Sequence, residues 1–438
     1  MTDPDSHTPY DRSTALRLSP ENYTDGQSNV NQPPNRYTAL AADDSGSFTP
    51  STTAVSSLHV VHVITGLQTG GAETMLYKLL SEVAEDQDVQ SRVVSLMPDG
   101  PIGERIRELG VSLTTLDMPR GTLTWDGLRR LYGLLRHKQP DVVQTWMYHA
   151  DLVGGIVAWM AGVDHIVWNI RSSTLDPDRD KRKTIWTAKI CAWLSAWLPD
   201  RIVTCAREAG RVHADLGYDA SKMEVIPNGF DTEQYRPDEQ RRSQIRDELN
   251  LQDEVVVGLV ARYHPQKDHR TFVRAAARLV EQVPDVHFVL CGTDIDWKNE
   301  ELVGWIEKHG LRDFFSLLGR RDDVASVITA FDLAVLSSAT GEAFPNVVGE
   351  AMACGVPSVV TDVGDSADIV GDTGIAVPTE APKKLAEACE QILTLPGSER
   401  HTLGEKARDR VEREYSLSAV ANRYLHIYRE KLDTSPPA

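Results

Sequence analysis

Two acidic residues, Glu342 and Glu350, are separated by seven residues across the predicted start of a helix. Pro345 lies where the first helical residue is expected, because its fixed φ suits that position and its missing N–H costs nothing there. The free N–H groups and the dipole of a helix start favour an anion such as a diphosphate. A carboxylate further along the helix would repel phosphate, but it can accept hydrogen bonds from sugar hydroxyls. The alternative is that both residues are solvated acids at a helix start.

Two cations, Arg262 and Lys267, follow a continuous β-branched run, Val255 to Val260. An arginine can hold two phosphate oxygens with its planar fork, and a lysine adds a compact point charge. Together they suit a diphosphate at the end of a strand. Solvation at the surface is the alternative for both.

Short β-branched runs alternate with amphipathic segments in two halves of the chain, which predicts an α/β fold with two parallel sheets. Each half would be a Rossmann-like domain, and the carboxyl ends of its strands would carry the candidate residues. A polar, Ser- and Pro-rich stretch at the amino end predicts a disordered tail. We expect four parts, namely a tail over 1–57, a first domain over 58–229, a second domain over 230–414 and a returning helix over 415–438.

The first half offers a glycine-rich turn, Gly66 to Glu73, between the first strand and the first helix. Gly70 and Gly71 would let backbone N–H groups approach a ligand. The turn lacks the G-x-G-x-x-G spacing of a dinucleotide site. A tight turn required only by packing is the alternative.

His149 follows the strand predicted at Asp141–Thr145 and leads into another helix. A histidine at the carboxyl end of a parallel strand is a candidate acid, base or sugar ligand, since it titrates near neutrality. A purely structural histidine is equally compatible with the sequence.

Net charge, cysteine spacing and the length of apolar runs limit the classes of protein to which the chain can belong. The 438 residues carry a net charge of -18, which argues against nucleic acid as a partner. Five cysteines are scattered without metal-ligand spacing, which fits a reducing cytoplasm. No apolar run reaches the 18 or so residues of a membrane-spanning helix.

A helix predicted after a charged run carries three tryptophans, Trp186, Trp193 and Trp197, at helical spacing on one face. Basic residues from 181 to 189 accompany them. An interfacial helix on anionic lipid has this pattern. A core helix with a solvated, charged start has it too, so both interpretations stay open.

The stretch around the two carboxylates resembles the E-x7-E signature of retaining family 4 glycosyltransferases. The matching residues are Glu342, Phe344, Pro345, Asn346, Gly349, Glu350, Ala351, Met352, Gly355 and Pro357. The resemblance covers residues 58 to about 430 and implies the GT-B fold, in which two Rossmann-like domains face each other across a cleft.

The same resemblance implies roles for individual residues. Arg262 and Lys267 match the R-x4-K element that holds the leaving diphosphate, and Gly70 and Gly71 would face the donor phosphates. Arg320 lies in a turn that cradles the nucleotide base in related enzymes. His149 resembles a histidine beside the transferring sugar, although the family's H-x-H arrangement is replaced here by Gln144-Thr145-Trp146. The donor-binding set becomes Gly70, Gly71, Arg262, Lys267, Arg320, Glu342, Phe344, Pro345, Asn346 and Glu350, with His149, Arg262, Lys267 and Glu342 as the catalytic set.

The implied activity is retaining transfer of a sugar from a nucleotide diphosphate sugar to a glycan or lipid-linked acceptor in cell-surface polysaccharide synthesis. No metal or other cofactor would be required. Two alternatives are a nucleotide-sugar epimerase or hydrolase on the same fold, and a binding module without catalysis. An acid-x-acid pair, Asp294 and Asp296, could be the metal ligand of the GT-A fold, but that fold lacks the R-x4-K and E-x7-E elements.

Overall fold

The computed structural model describes residues 57–84, 86–172 and 181–431. The predicted tail, apart from Ser57, lies outside these residues. So do Ser173 to Asp180, which include most of the predicted charged run, and the last seven residues of the chain.

The first sheet has seven parallel strands in the order β3-β2-β1-β4-β5-β6-β7 within the described residues. The strands are β1 (Leu58–Ile64), β2 (Val89–Ser95), β3 (Ser112–Thr115), β4 (Val142–Trp146), β5 (His165–Ile170), β6 (Arg201–Thr204) and β7 (Met223–Val225). In register, β1 pairs with β2 from Leu58 opposite Val89 and with β4 from Val60 opposite Val142. Strand order therefore reverses between β1 and β4.

Helices cover both faces of this sheet. They are α1 (Gly71–Val83), α2 (Pro101–Glu108), α3 (Trp125–Lys138), α4 (Tyr148–Ala161), α5 (Arg182–Leu194) and α6 (Arg207–Leu216). One core cluster joins the sheet to α3, α4 and α5, and another joins it to α1 and α2. The β-branched strands are buried on both sides, as a parallel sheet between two helix layers requires.

The second sheet has six parallel strands in the order β10-β9-β8-β11-β12-β13 in the described part of the chain. They are β8 (Val255–Val260), β9 (Val286–Cys291), β10 (Phe315–Leu317), β11 (Leu333–Leu336), β12 (Ser358–Thr361) and β13 (Gly374–Val377). Here the order reverses between β8 and β11, which pair from Val257 opposite Leu333.

The helices of the second half are α7 (Glu239–Glu248), α8 (His269–Leu279), α9 (Glu300–Lys308), α10 (Val324–Thr329), α11 (Asn346–Ala353), α12 (Ser366–Val370), α13 (Pro382–Leu393) and α14 (Gly397–Glu414). The helix α7 is almost wholly polar, and Ile245 is buried beneath it. The predicted domain bounds themselves stay a prediction.

The last helix, α15 (Leu417–Arg429), packs on α1 and belongs to the core of the first sheet. Tyr424 and Tyr428 are buried there. The Tyr424 ring stacks on the buried Trp146 ring, with centroids 6.3 Å apart. A residue from the carboxyl-terminal part of the chain thus completes the core beneath β4.

Candidate active site

The candidate loops converge on the two places where strand order reverses. The loops after β1 and β4 flank the reversal in the first sheet, and the loops after β8 and β11 flank it in the second. Open parallel sheets bind ligands outside the carboxyl ends of their strands at such reversals. The topology alone therefore places Gly70, Gly71 and His149 at one ligand-binding edge, and Arg262, Lys267 and Glu342 at the other.

Lys267 and Glu342 form an ion pair between the loops after β8 and β11. Two further bonds hold these loops together: the Ser337 hydroxyl donates to the Lys267 carbonyl at 2.8 Å, and the Ala339 N–H donates to the Gln266 carbonyl at 2.9 Å. The Ser338 hydroxyl also donates to Glu342 Oε1, at 2.8 Å. The predicted cation and the first predicted carboxylate are thus brought into direct contact.

Arg262 is exposed in the same loop as Lys267. Its backbone lies against Gly292, where a Cβ would come within 2.9 Å of Arg262 N. Gly292 N–H donates to the Gly319 carbonyl at 2.8 Å, so the turn that carries Arg320 adjoins this loop. The Arg320 side chain is exposed, with Asp322 at 3.6 Å. Both arginines are accessible to a ligand, and their roles toward a donor stay predictions.

The helix α11 begins one residue later than predicted. Asn346 is its first residue, whereas Pro345 is the N-cap with φ -73 and ψ 100. The extended ψ places Pro345 outside the helix and leaves the first N–H groups of α11 free of a side-chain cap. Gly355, with φ 73, follows the C-cap as expected for a helix stop.

The side chain of Phe344 is buried between aromatic rings. It stacks on Phe230 with centroids 6.0 Å apart and contacts Tyr415 at 5.8 Å. Phe230 in turn fills the space above Gly349, where a Cβ would come within 2.2 Å of its ring. A donor contact by Phe344 would therefore fall to its backbone, and the glycine of the E-x7-E stretch is required by packing.

Glu350 faces a lysine from the other half of the chain. Burial raises the pKa of Glu350, while Lys78 and a hydrogen bond with Tyr235 act in the opposite direction. Lys78 lies on α1 and its Nζ donates to the Gly229 carbonyl at 3.3 Å. Burial lowers the pKa of Lys78, and the charges of Glu350 and Asp231 oppose that shift. The sequence did not single out Lys78, since a lone lysine on an amphipathic helix carries no signal.

A second polar link between the halves also escaped the sequence interpretation. Asn228 Nδ2 donates to Asn346 Oδ1 at 2.7 Å, at the first residue of α11. Arg171 donates to Asn228, and also to the Tyr424 hydroxyl at 3.0 Å. Asn169 Nδ2 donates to the same hydroxyl at 3.0 Å. Asn346 is thus held from the first half of the chain.

A third link comes from Asp365, in the loop after β12. Its carboxylate accepts from the N–H groups of Arg207, at 2.7 Å, and Glu208, at 3.1 Å. These are the first two residues of α6. Burial raises the pKa of Asp365, although both hydrogen bonds oppose the shift. The carboxylate therefore caps a helix of the opposite domain.

In the first half, Gly70 is the N-cap of α1 and Gly71 its first residue. A Cβ on Gly70 would come within 2.4 Å of Glu73 Oε2, whereas Gly71 has open space at that position. The Glu73 carboxylate thus folds back over the turn at Gly70. The helix start of α1 remains accessible at Gly71.

His149 is the second residue of α4 and is half-buried. Burial lowers its pKa, which favours the neutral imidazole. Met147 precedes the helix with φ 72, a strained conformation for a residue with a side chain. Its N–H donates to the Asn169 carbonyl at 2.9 Å, which fixes the start of α4.

Trp146 occupies the position of the second histidine in the family's H-x-H arrangement. It is fully buried, and its indole N–H donates to His62 Nδ1 at 3.4 Å. Because its ring also stacks on Tyr424, it cannot reach the cleft. Where the family pattern has a histidine, this chain therefore has a buried ring that packs in the core.

Asp294 and Asp296 lie on either side of a buried residue in the loop after β9. Asp294 has φ 60, and Asp296 Oδ1 accepts from the Lys298 N–H at 2.8 Å, while Ile295 between them is fully buried. The fold itself excludes the GT-A alternative.

The three tryptophans of α5 and the residues after it are exposed, although the opposite face of α5 is buried in the core. Trp186, Trp193 and Trp197 expose 66%, 71% and 53% of their surface. The interpretation as a core helix is therefore wrong for these side chains. Trp197 lies just beyond the end of α5. Among the described residues, no helix is both long enough and apolar enough to cross a bilayer.

Comparison with solved structures places the fold in the GT-B class. The chain is similar to HepE of Anabaena in its complex with UDP, with a TM-score of 0.73 and 20% identity over 86% of this chain and all of the other. It is also similar to the apo form of the lipopolysaccharide outer core galactosyltransferase WaaB, with a TM-score of 0.66, 14% identity, and coverage of 85% and 100%. The predicted fold is confirmed.

Family models match both halves of the chain. The model described as Glycosyltransferase Family 4 matches residues 69–234, and Glycosyl transferases group 1 matches residues 241–410. The chain belongs to this glycosyltransferase family, as the E-x7-E stretch predicted.

The matches to curated relatives cover only part of each chain. A UDP-Gal:alpha-D-GlcNAc-diphosphoundecaprenol alpha-1,3-galactosyltransferase of Escherichia coli is 29% identical over 53% of this chain and 60% of its own length. Alpha-D-kanosaminyltransferase of Streptomyces kanamyceticus is 32% identical over 44% and 50%. Putative glycosyltransferase EpsF of Bacillus subtilis is 25% identical over 70% and 80%. The matches thus span 50% to 80% of these relatives.

Proposed function

We propose that this protein transfers a sugar from a nucleoside diphosphate sugar to a lipid-linked or glycan acceptor, with retention of anomeric configuration and without a metal. The observation that carries the proposal is the contact of Lys267 with Glu342 in front of the α11 start. Both lie at a strand-order reversal, where parallel sheets bind ligands. The cation and the free helix N–H groups suit the diphosphate of such a donor, and the carboxylate suits its sugar. The family membership and the relatives' names support the same activity.

In this proposal the leaving diphosphate is stabilised by Lys267, Arg262 and the N–H groups of α11. Preorganised positive groups of this kind act where charge develops in the transition state. Glu350 accepts hydrogen bonds from the ribose hydroxyls, and Glu342 from the donor sugar. Gly70 and Gly71 face the phosphates from the other side of the cleft.

The reaction balances without a protein nucleophile. The bond between the anomeric carbon and the diphosphate oxygen breaks, and the acceptor hydroxyl forms its bond on the same face. The hydroxyl proton passes to the departing diphosphate. In this proposal His149, whose lowered pKa favours the neutral imidazole, is a hydrogen-bond partner of the transferring sugar.

The acceptor is proposed to be lipid-linked, and the enzyme is proposed to work at the cytoplasmic face of the membrane. The galactosyltransferase relative, whose name specifies a diphosphoundecaprenol acceptor, supports this class of acceptor. The four basic residues Lys181, Arg182, Lys183 and Lys189 accompany the exposed tryptophans of α5, and no acidic residue lies from 181 to 198. Aromatic and basic side chains together favour an anionic lipid surface.

The test is a thermal-shift screen with UDP, GDP and their hexose derivatives, followed by a transfer assay. A ligand of the folded state raises the melting temperature according to its concentration and affinity. We expect at least one nucleoside diphosphate to do so, and transfer to persist in EDTA. The anomeric configuration of the product, read by NMR, tests retention. Donor turnover that is independent of any acceptor would instead identify a hydrolase.

A further inference from the structure

Exposed apolar side chains are concentrated in one region. Of the ten large hydrophobic residues that are exposed in the described part of the chain, nine lie between residues 123 and 197, and the other is Trp297. They belong to α3, α4, α5 and the adjoining loops. These helices are neighbours on the face of the first sheet opposite α1 and α2. Clustering of this kind marks a binding surface.

Within this region a groove of about 450 Å³ runs between α3 and α4. Its lining side chains are all apolar or aromatic except Arg129. Those that the argument uses are Leu123, Trp125, Tyr132, Ile156 and Met160. Trp125 exposes 83% of its surface and Met160 exposes 59%, so the groove is open to a ligand from solvent. Its volume is within the usual range for small-molecule sites.

The groove starts at the edge of the first sheet where the strands have their carboxyl ends and where His149 lies. Both α3 and α4 lead from the carboxyl end of one parallel strand to the next, so both begin at that edge. Leu152, which also lines the groove, lies one turn after His149. At 1.5 Å per residue, Met160 is about 16 Å further along α4 than His149. A chain in the groove would thus point its head group toward the candidate active site.

Charge favours a lipid with an anionic head group. The helix α3 carries Arg129, Arg130, Arg136 and Lys138 against the single acid Asp126, although the whole chain has a net charge of -18. Next to Met160, Trp159 packs edge-on against Trp197, with centroids 6.5 Å apart. The groove is therefore continuous with the basic, tryptophan-rich surface of α5.

We propose that the α3–α4 groove binds the hydrocarbon chain of a lipid phosphate or diphosphate, whose head group lies at the His149 edge of the cleft. The proposal rests on the proposed function for the identity of this lipid as the acceptor. Binding of the chain itself does not depend on sugar transfer, and each can be measured alone.

The probe is dodecyl phosphate below its critical micelle concentration, titrated by calorimetry, with inorganic phosphate as the control for the head group. We expect one site for dodecyl phosphate and none for inorganic phosphate. Trp125→Glu and Met160→Glu should each weaken binding about tenfold, which corresponds to roughly two buried CH2 groups. Both positions are exposed, so folding should be retained. Trp297→Glu, at the exposed aromatic residue in the second half, is the matched control and should bind normally.

Oxidation of Met160 by peroxide, followed by mass spectrometry, locates the chain without a mutation. Dodecyl phosphate should slow this oxidation, and inorganic phosphate should not. Absence of binding, or equal binding by the groove variants and the wild type, would overturn the proposal. So would loss of binding in Trp193→Ser alone, because it would assign the lipid to the α5 surface. Self-association that Trp125→Glu abolishes, without amphiphile binding, would assign the groove to a second copy of the chain.

The two proposals fail in different ways. Transfer to a water-soluble acceptor without dodecyl phosphate binding would remove the groove proposal and leave the activity. Dodecyl phosphate binding without donor binding or transfer would do the reverse.

Discussion

Lys267 pairs with Glu342 across the two loops that follow the central strands β8 and β11. Both side chains are largely covered, with 18% and 11% of their surface exposed. A diphosphate that bound to Lys267 would compete with Glu342 for the same cation. The carboxylate would then be released to accept hydrogen bonds from the sugar. The diphosphate and the sugar of one donor would thus replace the contact between Lys267 and Glu342.

Replacing the lysine tests this exchange. Lys267→Ala removes one preorganised positive group from the leaving diphosphate and should lower kcat about 10²- to 10³-fold. The measurement is steady-state transfer with a saturating donor. Lys267→Arg keeps the charge and should retain more activity than the alanine variant.

Stability provides the control for this variant. Circular dichroism and the thermal midpoint of Lys267→Ala should show a folded protein at the assay temperature. A loss of activity that merely follows a loss of folding, in Lys267→Ala and Glu342→Gln alike, would contradict a role in turnover.

Glu350 should govern donor affinity and its pH dependence. Because burial raises the pKa of this carboxyl, the ionised form that accepts ribose hydrogen bonds is lost at a higher pH than for an exposed glutamate. Donor affinity should therefore fall as the pH drops toward and through this raised pKa. Glu350→Ala should raise the Kd about tenfold or more at neutral pH, which corresponds to roughly 1.4 kcal/mol. Calorimetric titration from pH 5 to 8 measures both effects, with the exposed Glu307→Ala as the control.

Asp151 should make the protein less stable as the pH rises. Burial raises its pKa to about 7, although the Thr145 hydroxyl donates to it at 2.6 Å. Since the folded state holds the proton more tightly than the unfolded state, this group stabilises the fold most at low pH. That contribution is lost between about pH 4 and 7 and amounts to about 4 kcal/mol at most.

Asp151→Asn has no proton to lose and removes this dependence. Urea unfolding at pH 5 and pH 8 should show a larger decrease of the free energy of unfolding in the wild type than in the variant. Parallel pH profiles for the two proteins would show that Asp151 does not titrate in this range.

Tyr424→Phe should destabilise the fold by about 1–3 kcal/mol, because the buried Asn169 amide and the half-buried Arg171 guanidinium lose their shared acceptor. Asn169 and Arg171 both donate to this hydroxyl at 3.0 Å. Chemical denaturation measures the difference. Tyr132→Phe, at a surface position, should stay within about 0.5 kcal/mol of the wild type.

Trp193→Ser should weaken binding to vesicles rich in phosphatidylglycerol. Trp193 is exposed and packs edge-on against Trp197 with centroids 5.8 Å apart, so its loss removes apolar area without opening a core cavity. Co-sedimentation measures the bound fraction, and added salt should lower it because the basic residues contribute. Equal sedimentation of the variant and the wild type would remove α5 from any membrane contact.

Much of the fold was predictable because its strands are short, β-branched and regularly spaced. The run Val255–Val260 agrees with β8 to the residue. The helix α7 was not predictable, because its ten residues are almost wholly polar and bury little beyond Ile245. The predicted start of α11 was one residue too early, because a proline suits both an N-cap and a first helical position.

At the candidate site, spacing indicated the residues within one loop and missed those that approach from elsewhere. Glu342 and Glu350 share a local signature, whereas Lys78, whose charge acts on Glu350, lies on a helix more than 250 positions earlier. The prediction for Phe344 was limited in the same way. The local sequence indicated its place in the stretch, but its packing against Phe230 and Tyr415 depends on tertiary structure.

The position of α15 has a consequence for synthesis. Tyr424, Leu425 and Tyr428 belong to the same hydrophobic cluster as β1 and α1, which the ribosome makes some 340 residues earlier. Domains generally fold as units, amino-terminal first, while the chain is being made. Here the first domain keeps an uncovered apolar face until the second domain and α15 have been translated, so chaperones could bind that face throughout this interval.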